Sequence, residues 1–372
     1  MRILLRPIII FSCSLIFAGA AAADSDFIVK RDAAKLFATL PTVANFPEGI
    51  TANPANGDIY VGTFEFNGSG SETNGIVRFD RHGHLLAISD FTSNVPLLGL
   101  AFNPHDGNVY VASVGNFQGV ASSIRRIAGN FTNGAVLQDV ATIPNIGAPP
   151  ARIVSNPDGS QDIINFGDNA AVPNGLVFTA SGRLLISDSF QGAIFSVADP
   201  TVCTGACVAS LVVHNGLLAT AGFPPFGANG LALNTDESTL FIANTGDDRI
   251  LTLDLGTLVV SDIPFAESIN GADGLAMDAH GRLWVAANQG DEVVALSSTG
   301  RIIIKLGDFQ GIRNDGSPRG LLFPASLVIV GKEIFVTNLA LPLTGGDEPE
   351  ADVTRYTVSR MKIPESSDGD DD

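Results

Sequence analysis

Residues 272–275 read ADGL. The frame returns as PNGL at 173–176 and ANGL at 228–231, and in altered form as PEGI at 47–50. Each time a polar residue precedes Gly, and an aliphatic residue then begins an apolar run. The polar slot holds Glu48, Asn174, Asn229 and Asp273. Aligning the chain on this frame yields six segments, beginning at Glu48, Leu98, Asn174, Asn229, Asp273 and Ala325. Each joins a short apolar run, a polar turn and a second run rich in Val, Ile, Leu and aromatics, which is the pattern of a β-hairpin. The starts lie 50, 76, 55, 44 and 52 residues apart.

Further strand-like segments follow each hairpin. After Asp273 come DEVVALSS and RIIIKLGDF; after Asn229 come DRILTLDL and LVVSDIPF; after Glu48 come GIVRFDR and HLLAISDF. Four strands per unit at a period near 50 residues mark a β-propeller. No sustained 3.6-residue apolar period competes with it. The last unit has only three strands, SLVIV, EIFVTNL and TRYTVSRM, while AAKLFATL precedes the first unit. Residues 35–40 are therefore expected to supply the missing outer strand and close the ring. The expected fold is all-β, a six-bladed propeller of four-stranded antiparallel blades over residues 24–363.

The flanks read differently. Residues 1–23 carry two arginines, an apolar centre and an Ala run, which predicts a secretory signal that is removed. Their apolar stretch is shorter than the roughly 20 residues of a spanning helix. The expected mature chain, about 349 residues, is exported, periplasmic or extracellular. Residues 364–372 form an acidic tail expected to be disordered.

The net charge of −18 argues against nucleic acid as a partner and against anionic membrane surfaces. The chain is read as a monomer. Without Cys13 of the signal, only Cys203 and Cys207 remain, in VCTGAC; the spacing permits a redox pair or half a metal site, but with no second Cys pair and an oxidising compartment a disulfide across a short loop between blades is expected. Asn67 and Asn130 fit the glycosylation acceptor pattern. The long interval before Asn174, rich in Pro, Gly, Asn and Asp, is expected to lie over the face where Asn174 stands.

In a propeller the first strand of each blade lines the central channel. The polar slots therefore form a ring at one mouth, with Glu48, Asn174, Asn229 and Asp273 contributing oxygens and Leu98 and Ala325 none. Two carboxylates and two carboxamides match the oxygen preference of Ca²⁺. Asp188, Asn244, Asn288 and Asn338, at the ends of the second strands, are expected to orient that ring. His105 and His280 fall in turns at the opposite mouth, so a histidine site is not expected. The competing reading is structural: Asn-Gly and Asp-Gly are common turn dipeptides, and the Gly can serve crowded inner strands.

The segments PEGI, PNGL, ANGL and ADGLAMDAHGRLWVAANQGDEV resemble the SMP-30/gluconolactonase/LRE-like group of six-bladed propellers. The resemblance implies that Glu48, Asn174, Asn229 and Asp273 bind a divalent cation, usually Ca²⁺, and that the substrate is a small lactone or related ester. Asp273 is the catalytic candidate, as general base or nucleophile. The alternative is a non-catalytic propeller that binds a protein or glycan, with the central ion structural.

Overall fold

A computed structural model describes residues 27–66, 73–115, 120–167, 170–263, 268–344 and 347–365. The signal segment, Asn67 and most of the acidic tail lie outside the described residues. There is no α-helix among the described residues, and no helix long and apolar enough to cross a membrane.

Six antiparallel sheets carry the six units. Their inner strands are Pro47–Ala52, Leu97–Asn103, Pro173–Phe178, Ala228–Leu233, Ala272–Met277 and Pro324–Val330. Each inner strand packs on the next, and the sixth packs on the first. The hydrophobic core is correspondingly divided. Six principal clusters each fill the gap between two neighbouring blades, for example Trp284, Val293, Leu327 and Val336 between blades 5 and 6. Trp284 is fully buried, and its indole N–H donates to Asp278 Oδ2 at 2.8 Å.

The recurrent frame has a single structural cause. In all six inner strands the ladder slips within the frame, between Pro47 and Ile50, Leu97 and Leu100, Pro173 and Leu176, Ala228 and Leu231, Ala272 and Leu275, and Pro324 and Leu327. These are β-bulges, in which one extra residue leaves the pairing. The bulge frees the slot residue from the sheet. The Gly beside it meets the neighbouring blade: a Cβ on Gly175 would lie 2.3 Å from the Asn229 carbonyl oxygen, and one on Gly230 2.3 Å from that of Asp273. Backbone therefore packs on backbone where the blades converge, and only Gly leaves room.

Hydroxyls stitch the same positions. Ser187 Oγ accepts the Gly175 N–H at 2.8 Å and donates to the Asn229 carbonyl at 2.6 Å. Thr337 Oγ1 accepts the Ser326 N–H at 3.1 Å and donates to the Glu48 carbonyl at 2.7 Å, joining the last blade to the first.

Closure occurs as the strand count predicts. Lys35–Thr39 pairs antiparallel with Thr357–Lys362 and completes blade 6. Phe37 from this strand packs edge-on against Phe335, with ring centroids 4.7 Å apart. Two short additions are not visible in the repeat. Ile28–Lys30 extends blade 5 in parallel with Ile302–Leu306, and Cys207–Val208 extends blade 2 in parallel with Gln138–Thr142. Cys203 and Cys207 form the disulfide. Its loop does not separate blades: it joins the third and fourth strands of blade 3 and reaches across to the edge of blade 2.

The long interval before Asn174 holds a hairpin, Arg152–Ser155 with Gln161–Ile164. Gln191 holds its approach, accepting from the Ile146 N–H at 2.7 Å and donating to the Pro144 carbonyl at 3.2 Å. Arg152 pairs with Asp247, which also accepts from Thr220 and Arg249. Gln191 and Asp247 follow the second strands of blades 3 and 4, so the segment is fastened at the mouth where Asn174 stands.

Candidate functional site

Glu48, Asn174, Asn229 and Asp273 converge. All four are 5% exposed or less, and all line one cavity of about 30 Å³ at the channel mouth. That is room for a water molecule or a single ion. The four arrive from blades 1, 3, 4 and 5, each released into the channel by its bulge.

The orientation of the amides follows from hydrogen counting. Ser189 Oγ donates its only hydrogen to the Ala228 carbonyl at 2.7 Å, so toward Asn174 it can only accept. Asn174 Nδ2 donates to it at 3.1 Å, which leaves Asn174 Oδ1 for the cavity. Thr245 Oγ1 is likewise committed to the Ala272 carbonyl at 2.7 Å and accepts from Asn229 Nδ2 at 2.9 Å. Asn288 Nδ2 donates to Asp273 Oδ2 at 3.1 Å.

Four buried oxygens of this site are then left with no hydrogen-bond partner among the described residues: Glu48 Oε2, Asn174 Oδ1, Asp273 Oδ1 and Asn288 Oδ1. Buried polar atoms are normally paired. An unpaired one costs about 1–3 kcal/mol, and a charged one more. All four belong to residues lining the same small cavity. Among the described residues no group of three or more His, Cys, Asp or Glu is assembled. The donor set is two carboxylates with carboxamides, oxygen throughout.

The electrostatics agree. Burial, and then the neighbouring Asp273 charge, push the Glu48 carboxyl well above its usual range. Burial pushes Asp273 up to about 7, while hydrogen bonds from Asn288 and Asn229 act in the opposite direction. Two carboxyl groups in one dry site cannot both ionise without a compensating positive charge.

The strand-end residues divide sharply. Ladder register pairs Asp188, Asn244 and Asn338 with the first residues of their inner strands, Pro173, Ala228 and Pro324; in blade 5 the equivalent position is Ala287. Asn288 lies one residue further along. Successive strand residues face opposite ways, and the positions that meet the ring are Ser189, Thr245 and Asn288. Asp188, Asn244 and Asn338 turn away from it. Asp188 accepts from the Val172, Phe190 and Gln191 N–H groups. Asn244 donates to the Leu217 and Ala219 carbonyls. Asn338 accepts from the Leu322 N–H and donates to Thr357 and Ser359. These three hold loops and blade edges; the ring contacts expected of them are made by Ser189 and Thr245.

The rest of the wall is apolar. Phe64 and Leu98 come from blades 1 and 2, Phe323, Leu339, Leu341 and Leu343 from around blade 6, and Pro224 and Phe226 from the loop before blade 4. Phe64 and Leu339 stand one residue beyond their second strands, where Ser189 and Thr245 stand in blades 3 and 4. Neither was singled out from the sequence; the position one beyond each second strand would have marked them, whereas the loops do not repeat. The histidines stay away from the site: His82, His84, His105 and His280 are exposed, and none lines the cavity.

Solved structures share the fold. A calcium-binding regucalcin from Agrobacterium tumefaciens str. C58 aligns with a TM-score of 0.56 at 14% identity, over 91% of this chain and 98% of its own. A putative gluconolactonase aligns at 0.52 and 16% identity, over 91% and 97%. A virginiamycin B lyase from Staphylococcus aureus aligns at 0.50 and 13% identity, over 87% and 96%. At these identities the likeness concerns architecture, which hosts more than one chemistry. No curated protein sequence matches the chain significantly. Within the chain, residues 224–306, which carry the ANGL and ADGL frames, match the family described as SMP-30/Gluconolactonase/LRE-like region.

Proposed function

We propose that this protein is a divalent-cation-dependent hydrolase, with Ca²⁺ the fitting ion, acting on a small-molecule lactone or related ester. The observation that carries the reading is the set of four buried, unpartnered oxygens around one ion-sized cavity. Glu48, Asn174, Asn229 and Asp273 would hold the ion. A donor set of oxygens alone suits Ca²⁺ better than Zn²⁺, which favours His and Cys. The similarity of residues 224–306 to the gluconolactonase group supports the substrate class.

A bound cation supplies Lewis acidity at the substrate carbonyl and compensates developing negative charge. The chain supplies the rest. Ser189 and Thr245 fix the amides of Asn174 and Asn229. Asn288 holds Asp273 Oδ2, so Oδ1 is the oxygen turned to the cavity, where it would serve the cation and stand beside the substrate as base or nucleophile. The apolar wall excludes bulk water from the reacting centre. Residues 1–23 are proposed to direct export.

The test is hydrolysis of a lactone panel by the full chain with Ca²⁺ and with chelator, repeated with Asp273→Ala. Cation-dependent turnover that the substitution removes is expected. If no lactone is turned over, yet chelation lowers the melting temperature, the ion is structural and the propeller is a binding module. If neither turnover nor melting responds, the hydrolase and the cation both fall.

A further inference from the structure

Most of the cavity's apolar lining lies opposite its polar lining; Pro224 and Phe226, from the loop before blade 4, are the exceptions. Asn174, Asn229, Asp273 and Asn288 form a continuous arc from blades 3, 4 and 5. Facing them are Phe64, Leu98, Phe323, Leu339, Leu341 and Leu343, from blades 6, 1 and 2 and their loops, and only Glu48 interrupts that side. Among the described residues no Lys, Arg or His lines the cavity. The apolar side also continues outward. Phe64, Phe226, Leu341 and Leu343 are only half-buried, so their outer faces extend the wall to solvent. Phe190 stacks at a tilt on Phe226, with centroids 5.6 Å apart, and widens it.

Once a cation takes its free oxygens, the polar arc would have few groups left for a ring bearing several hydroxyls. The hydroxyl hydrogens of Ser189 and Thr245 are committed to backbone carbonyls, and the amides of Asn174, Asn229 and Asn288 each direct an N–H to a protein oxygen. Beyond the second N–H of each amide, the remaining atoms are acceptors, the set that the cation would take. A polyhydroxylated ring placed against Phe64, Leu339 and Leu341 would bury its hydroxyls without partners, which sites select against strongly. An anionic substrate would meet two carboxylates and no cationic side chain.

We infer that the substrate is an apolar lactone or ester: the reacting carbonyl sits on the polar arc, and an alkyl or aryl body lies along the wall formed by Phe64, Phe226, Leu341 and Leu343. This inference rests on the hydrolase reading above. It places most of the discrimination between substrates on blades 6 and 1, with Phe226 contributing from the loop before blade 4.

The test uses the calcium-loaded full chain and γ-lactones bearing 5-alkyl groups of increasing length, with glucono-1,5-lactone as the hydroxylated comparison. Catalytic efficiency is expected to rise about fourfold per methylene over the first few carbons, and glucono-1,5-lactone to be the poorest substrate. Leu343→Ser is expected to shrink the ratio of long-chain to short-chain efficiency through KM. Calorimetric titration with 5-alkyl-2-pyrrolidinones, which resist hydrolysis, reads the wall without turnover. Efficiency that is flat with chain length, or highest for glucono-1,5-lactone, overturns the inference and leaves the hydrolase standing. No turnover together with tightening lactam binding keeps the apolar wall and removes the hydrolase. No turnover and lactam binding independent of chain length removes both.

Discussion

Glu48 and Asp273 enter one cavity from blades 1 and 5, each buried and each with one carboxylate oxygen that has no hydrogen-bond partner among the described residues. With chelator present, burial raises both carboxyls, Asp273 to about 7, and the Asp273 charge raises Glu48 further. The folded state then keeps protons that the unfolded chain releases near pH 4. The stabilisation is fully present below about pH 4 and is lost as pH rises through about 7. Chelated wild type is therefore expected to lose stability between pH 5 and pH 8 relative to Asp273→Asn, and Ca²⁺ to abolish that difference. Urea midpoints of both proteins across this range check it. Parallel pH profiles in chelator would count against a shared buried site.

Asn288 and Asn338 look alike in sequence, though Asn338 ends its second strand and Asn288 stands one residue beyond, and they are predicted to fail differently. Asn288→Ala removes the donor to Asp273 Oδ2 and is expected to weaken Ca²⁺ binding about 10–100-fold, with a small effect on melting. Asn338→Ala removes the hydrogen bonds to Leu322, Thr357 and Ser359. It is expected to cost about 3 kcal/mol of stability, with Ca²⁺ affinity of the folded protein unchanged. Calorimetry and urea unfolding separate the two effects.

Gly230 and Gly281 make a second contrast. A Cβ on Gly230 would lie 2.3 Å from the Asp273 carbonyl oxygen, whereas Gly281, in a turn at φ +74°, has open space around it. Gly230→Ala must push two blades apart at the ring and is expected to cost about 3 kcal/mol or more. Gly281→Ala meets only the backbone penalty of a left-handed turn, about 1 kcal/mol. Gly230→Ala should also weaken Ca²⁺ binding, because it moves Asp273; equal costs at the two sites would remove the packing explanation of the frame.

Closure of the ring depends on the strand Lys35–Thr39. Phe37→Ala, at a buried position between Phe79 and Phe335, is expected to cost about 3–5 kcal/mol. Val29→Ala, in the exposed addition to blade 5, is expected to stay within about 0.5 kcal/mol. Melting temperatures of the two variants decide this.

The fold and the ring were legible because both depend on positions that every blade repeats. The Gly of the frame is required by backbone crowding, and the slot beside it is released by a bulge, so one sequence pattern marked both. The completing strand was legible by counting. The supporting residues were read one place out of step, because Asp188, Asn244 and Asn338 are strand ends whereas Asn288 stands one residue beyond, and one residue reverses the face. Ile28–Lys30 and Cys207–Val208 are too short to show a period and exist through the edges they join. The apolar wall is built largely from loops, where composition alone does not say what faces what.

The central claim is that four side chains, from blades 1, 3, 4 and 5, hold one cation. Calorimetric titration of Ca²⁺ into the chelated full chain, alongside Asp273→Asn, tests it most directly. The account predicts one ion bound per chain in the wild type and binding lost or weakened at least 100-fold in the variant. A wild type that binds no ion, or a variant that binds as tightly as the wild type, would contradict it.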